Sequence, residues 1–430
     1  MTLTQLHDQS EEALKDRLAE LKADYEQYRT KNLKLDMSRG KPSPEQLELS
    51  MPMLDVLSSK SAMNAENGVD TRNYGQLDGI PEAKRFFADL LGVETEEVIV
   101  GGNSSLNLMH DTIMRGMVFG FPESSAPWSK QGKIKFICPV PGYDRHFAIC
   151  ELFGIEMIQV AINEEGPDMD EVERLVRDDD SIKGMWCVPK YSNPSGSTYS
   201  DETVERLVSM EAKANDFRLF WDDAYTVHHL TDEHDSLKNV LAAAKEAGQP
   251  NRPIIFASTS KVTFPGSGVS VIAAARDNIA HFLKLMSSQT IGFDKINQLQ
   301  HVRFFTEVEP LEAHMKKHAE LIKPKFELVL STLEEKLGGK GIASWSKPNG
   351  GYFISLDVVD GAARKTVALA KEVGVTLTGA GAAFPYGIDP RDRNIRIAPT
   401  FPAIDELREA LNVLCTCVEI ASIEQLLANK

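Results

Sequence analysis

The chain has 430 residues, of which 42% are hydrophobic and 26% charged, and its formal net charge is -16. That length exceeds one ordinary core and predicts a large domain plus a smaller one, with the composition of a soluble globular protein. The acidic balance argues against nucleic acid or an anionic membrane surface as the main partner.

Met1 to Ser10 is polar and carries no apolar targeting core, and no run approaches the roughly 18 apolar residues of a membrane helix. Ser10 is placed to cap a helix whose first turn holds Glu11 and Glu12. Leu14, Leu18, Leu21, Tyr25 and Tyr28 then repeat at spacings of four and three, the stripe of a helix docked on the main body. A punctuated stretch follows, Ser38-Arg39-Gly40-Lys41-Pro42-Ser43-Pro44.

From about residue 56 to 310 short apolar runs alternate with helical patterns. The strand candidates are 98–100, 134–138, 156–160, 184–188, 218–221, 253–257 and 269–273, with helical stretches such as 106–117 and 203–215 between them. This alternation predicts an α/β domain with a mainly parallel seven-stranded sheet and helices on both faces. Ligands then sit beyond the carboxyl ends of the strands, where the unusual polar residues of this chain cluster. From 311 to 430 the pattern changes to a long helix, a strand pair (351–358 and 394–397) and a terminal helix (404–426). These form a smaller α+β domain, which segment 1–55 is expected to join. The five cysteines, at 138, 150, 187, 415 and 417, show no paired spacing, which suits free thiols in a reducing cytoplasm.

Four segments carry chemistry. In Phe256-Ala-Ser-Thr-Ser-Lys261 a strand ends in hydroxyl residues and a lysine. An amine at a sheet rim can form an imine with an aldehyde cofactor, and Ser258 can donate to a phosphate. Alone, the default reading is a solvated lysine. In Leu219-Phe-Trp-Asp222-Asp223-Ala-Tyr225 a carboxylate leaves an aromatic strand and needs a positive partner, which a protonated pyridine nitrogen would supply. Tyr225 can donate to the ring phenolate. Asp-Asp by itself is more often a turn or cap. Asn193 in Asn193-Pro194-Ser195-Gly196 can bond the same ring oxygen, or be an ordinary turn. Gly101-Gly102-Asn103-Ser104-Ser105 ahead of a helix can form an anion pocket, with plain capping as the competitor.

Each signal is weak alone, and their joint order is the argument. The chain resembles fold-type I pyridoxal-phosphate enzymes of the class I/II aminotransferase group over nearly its whole length. The resemblance implies pyridoxal 5'-phosphate bound through Lys261, with Asp222 rather than Asp223 on the ring nitrogen. It implies a phosphate pocket from Asn103, Ser104, Ser105 and Ser258, with Asn193 and Tyr225 on the ring oxygen. Tyr143 in Pro141-Gly142-Tyr143 is similar to the family's ring-stacking aromatic, and Tyr74 in Asn73-Tyr74-Gly75 to a tyrosine reaching the neighbouring subunit's phosphate. A homodimer with shared active sites follows from that. Arg396 in Asn394-Ile-Arg-Ile-Ala-Pro matches the arginine that forks onto a substrate α-carboxylate, and the resemblance counts Asn193 among the substrate-binding residues as well. The turn at Gly40 should close over the substrate.

One position departs from the family pattern. Most members place a phosphate-binding arginine eight residues beyond the lysine, and here Val269 stands there. Ser267 can substitute if the loop is two residues shorter. The Ser38–Ser43 stretch resembles a divergent, regulator-like branch of aspartate aminotransferases, which implies transfer between L-aspartate and 2-oxoglutarate. A second cation is then needed for the side-chain carboxylate, and Arg39, Lys41, Arg72, Arg145 and Lys295 are open candidates. The rival readings are an aminotransferase for another amino acid, a lyase on the same cofactor, and a cofactor-binding transcriptional regulator. The last needs a basic DNA-binding module, and the residues before Gly40 are too few and too acidic for one. His228, His229 and His234 read as a polar surface loop rather than a metal site, and Gly379-Ala-Gly-Ala-Ala as too isolated for a nucleotide loop.

Overall fold

A computed structural model describes residues 5–430, so the first four residues of the polar opening lie outside it. The large sheet is built from β1 (Val98–Val100), β2 (Lys135–Val140), β3 (Glu156–Asn163), β4 (Gly166–Pro167), β5 (Ile182–Cys187), β6 (Arg218–Asp222), β7 (Pro253–Ser258) and β8 (Ser270–Ala274). All seven expected strands are present, and the two-residue β4 adds an eighth at the edge. The spatial order is β1-β8-β7-β6-β5-β2-β3-β4. Strands β7, β6, β5, β2 and β3 are mutually parallel, whereas β8 runs against both neighbours. Strands β5, β6 and β8 are buried along their whole length, as a sheet covered on both faces requires.

The second core has a different origin. Helix Glu11–Thr30 is capped by Ser10, whose hydroxyl accepts from Ala13 N, and it buries Leu14, Leu21 and Tyr25. These three pack in one cluster with the strand pair Ile354–Val358 and Asn394–Ile397 and the terminal helix Ile404–Ala428. By length and composition that terminal helix could cross a membrane. Instead its apolar surface, Cys415 and Cys417 included, is buried between helices of this core. The long helix Leu311–Leu337 serves both bodies. Met315 packs with Val262, Phe304 and Phe305 of the large domain, and from Ile322 onward the helix belongs to the small core.

Candidate active site

The carboxyl ends of β1, β2, β5, β6 and β7 converge on one side of the sheet, and the loops that leave them bring the predicted residues together. Asp222 is the last residue of β6 and is 3% exposed. Its Oδ2 is 2.9 Å from His146 Nε2, and its Oδ1 is buried without a partner among the described residues. His146 lies flat on Trp186, with ring centroids 4.2 Å apart and planes 6° from parallel. Tyr143 meets the same imidazole edge-on at 4.9 Å. Burial, then the Asp222 charge, pushes the Tyr143 phenol up to about 12.

Lys261 is half-buried, three residues beyond the end of β7. Its Nζ is 5.1 Å from the Tyr225 ring centre and 5.9 Å from that of Tyr352. Burial lowers the pKa of this amine, and the Asp222 charge opposes the shift. The carbonyls of the lysine turn are held by imidazoles: His228 Nε2 is 3.3 Å from Lys261 O and His314 Nε2 is 2.9 Å from Val262 O. His228 therefore corrects the surface-loop reading. It is 3% exposed, packed against Tyr225 and Tyr352, and burial lowers its pKa to about 3. Sequence treated the adjacent histidines as one polar run, but only His229 and His234 pair as a stack in the outer loop.

The Gly101–Ser105 loop sits beside the lysine turn. Ser270 N and Oγ both donate to Gly102 O at 2.7 Å, and Ser260 Oγ donates to Asn103 O at 3.3 Å. Ser104 is the N-cap of helix Ser105–Phe119, but its hydroxyl makes no capping bond. The helix end thus keeps free N–H groups beside the Ser258 and Ser260 hydroxyls, which suits an anion. Val269 is buried where β8 begins, its N–H donating to Thr259 Oγ1. Ser267 is exposed on a short turn whose carbonyl is bonded by Asn297, so the structure gives it no evident phosphate role.

Arg396 reaches the site from the small domain. Its guanidinium lies 4.9 Å over Phe353 and donates through Nη1 to Asp144 Oδ1 (3.1 Å) and Asn193 Oδ1 (3.4 Å), and through Nη2 to Thr378 Oγ1 (3.3 Å). A Cβ on Gly40 would stand 2.1 Å from Phe353 Cζ, so the N-terminal turn presses on the ring that carries the arginine. The segment after Thr378, set aside as a nucleotide loop, is an interdomain strap. Ala383 O accepts from Gly142 N beside Tyr143, and Tyr386 OH accepts from Met157 N. His146, Trp186, Tyr352, Phe353, Asp144 and Thr378 were not found from sequence. Phe353 follows Gly350-Gly351-Tyr352, a glycine pair packed onto Tyr191, and that was the available signal. Tyr74 stands apart from this cluster, 80% exposed.

An orphaned buried carboxylate oxygen, a partly desolvated amine and an uncapped helix end make opposite demands that one ligand can meet. The pyridoxal phosphate implied by the resemblance has a ring nitrogen, an aldehyde and a phosphate to match them.

The family profile described as aspartate amino-transferase matches residues 9–430. The chain belongs to this family. A relative from Mycolicibacterium smegmatis is 53% identical over 94% of this chain and 95% of its own. An aspartate aminotransferase of Corynebacterium glutamicum is 47% identical, covering 94% and 93% of the two chains. A crystal structure of an aspartate transaminase from C. glutamicum superposes with a TM-score of 0.96 at 46% identity, over 99% of this chain and 100% of that one. A Thermus thermophilus α-aminoadipate aminotransferase holding a phosphopyridoxyl-leucine adduct shares the fold at 20% identity and a TM-score of 0.74, over 94% and 96%. The chain is accordingly an aminotransferase of fold type I.

Proposed function

We propose that the protein is a pyridoxal-phosphate-dependent aspartate aminotransferase, passing the amino group of L-aspartate to 2-oxoglutarate to give oxaloacetate and L-glutamate. The observation that carries the cofactor reading is Asp222, a buried carboxylate with one oxygen bonded to His146 and the other free. Bound there, the cofactor supplies an aldehyde for the amine and a protonated ring that accepts electron density. Asp222 keeps the proton on the ring nitrogen, and His146 fixes the carboxylate's orientation. Lys261, its pKa lowered by burial, is a base that can take a proton from the substrate Cα and return it. Arg396 and Asn193 would hold the α-carboxylate, Tyr143 would cover a ring face, and Tyr225 would donate to the ring oxygen. Fixing the Cα–H bond relative to the ring is the contribution of this positioning.

The 47% identical C. glutamicum aspartate aminotransferase supports an acidic substrate. Among the candidate cations, Arg72 is forked onto Asp70 and Lys41 lies 3.9 Å over the Phe401 ring. Arg39, Lys41, Arg145 and Lys295 show no acidic partner among the described residues, and these four stay open for the distal carboxylate. Exposed Tyr74 and Ile291 belong to one surface, because a Cβ on Gly292 would come within 2.6 Å of Gly75 O. We place a second copy of the chain on it, with Tyr74 directed to the partner's phosphate. The test is visible spectroscopy of the purified holoenzyme. The cofactor band should bleach with aspartate and recover with 2-oxoglutarate. Bleaching by another amino acid and not by aspartate would overturn the substrate.

A further inference from the structure

The arginine assigned to the substrate already holds a carboxylate. Asp144 is the first residue of helix Asp144–Leu152, directly after the stacking Tyr143, and lies on the large domain. Its Oδ1 is 3.1 Å from Arg396 Nη1 on the small domain, with side-chain exposures of 37% and 10%. The bland explanation is that an acid suits a helix N-terminus. That accounts for the residue type and leaves its contact across the domains unexplained.

The edges of the guanidinium decide what the contact does. A carboxylate fork needs two N–H groups on one edge. Arg396 Nε is buried and has no partner among the described residues. The contacts with the large domain run through Nη1, on the Nη1–Nη2 edge that faces Asp144 and Asn193. Nη1 already serves both Asp144 and Asn193, whereas Nη2 makes one long contact to Thr378. An α-carboxylate that forks onto this edge meets Asp144 already on Nη1 and competes with it there.

We infer that Asp144 is a resident competitor for the substrate carboxylate, occupying Arg396 in the ligand-free enzyme and setting the affinity for acid substrates. This rests on the assignment of Arg396 to the α-carboxylate. Removing Asp144 leaves the guanidinium oriented, because Phe353 under its face, Thr378 on Nη2 and Asn193 on Nη1 still hold it. Loss of competition therefore outweighs loss of orientation, and binding tightens. A half-exposed ion pair is a weak contact, so the gain is about two- to fivefold.

The experiment measures the dissociation constant of maleate, a non-reacting dicarboxylate, on the holoenzyme by calorimetry, with KM values for aspartate and 2-oxoglutarate beside it. Asp144→Asn should lower the maleate constant and both KM values about two- to fivefold. Glu164→Gln removes an exposed charge from the cleft rim near Pro141 and Ser195, away from the arginine, and should leave them unchanged. An unchanged or weaker maleate constant in Asp144→Asn overturns the inference, as does equal tightening in Glu164→Gln, which would mean a general field effect. Arg396→Lys in parallel should weaken maleate about tenfold or more. If it does not, the assignment of Arg396 fails, whereas a response to Arg396→Lys alone sinks only the role of Asp144. Thermal midpoints of all variants show whether folding contributes.

Discussion

Asp222 and Asp223 are neighbours at the end of β6, and both are buried, yet they stand in two different chemistries. Asp222 faces the wall shared by His146, Tyr143 and Lys261, with one oxygen bonded and one free. Asp223 also has a buried oxygen, Oδ1, without a partner among the described residues, but it lines a cavity of about 300 Å³ on the other side, beside Lys190 and Thr226. Burial drives the Asp223 carboxyl up to about 6, with the Thr226 hydroxyl and the Lys190 charge pulling the other way. Successive side chains of a strand point to opposite faces, so one step along the chain separates the two environments. A buried acid is not by itself a sign of catalysis; what it faces decides.

The largest effect is expected from Lys261→Ala, which removes the amine from the Asp222 wall. Loss of the general base alone should cost roughly 10²- to 10⁴-fold in kcat, and the spectral signature of lysine-bound cofactor should disappear. Wild-type turnover in that variant would end the assignment. Next comes the direct contrast. Asp222→Asn should lower kcat on the order of 10²-fold, whereas Asp223→Asn should change it by less than about threefold. Equal losses would erase the distinction. His146→Asn, which takes away the bonded partner of Asp222, should cost about tenfold in kcat with little change in KM.

The smallest effect is on stability, and its sign is fixed by the Asp223 shift. The folded carboxyl holds its proton more tightly than the unfolded one, whose ordinary value is 3.8. The native state therefore binds more protons between about pH 4 and 6, and stability falls as pH rises through that window. Asp223→Asn should escape this loss. Its advantage should be nearly absent near pH 4 and reach on the order of 3 kcal/mol above pH 7, read from denaturant unfolding at several pH values. An advantage independent of pH would point to packing instead.

Much of the site was legible because its residues lie where strands of a parallel sheet end. Asp222 and Ser258 end strands, and Lys261, Tyr225, Asn193 and the 101–105 loop follow strands within a few residues, and the alternation of apolar runs is a local signal. Arg396 was reached only through resemblance, since nothing in the run 394–397 tells a strand arginine from a substrate ligand. The residues that were missed act across the fold. His146 and Trp186 stack from different elements, and Asp144 meets Arg396 from 252 positions away. His228 was misjudged because neighbouring loop residues can face opposite directions, and sequence assigns one polarity to the whole loop.

The order of residues along the chain determined the α/β frame, the helix start at Ser10, the amine at 261 and the acid at 222, because periodicity and turn chemistry are local. Only the tertiary structure decided which oxygen of Asp222 is free, which imidazoles hold the lysine turn and which carboxylate already sits on Arg396. Those depend on how the strap after Thr378 and the turn at Gly40 bring the small domain onto the large one. Contacts between distant segments leave no trace in spacing, because each partner's residue type is also explained by its own local surroundings.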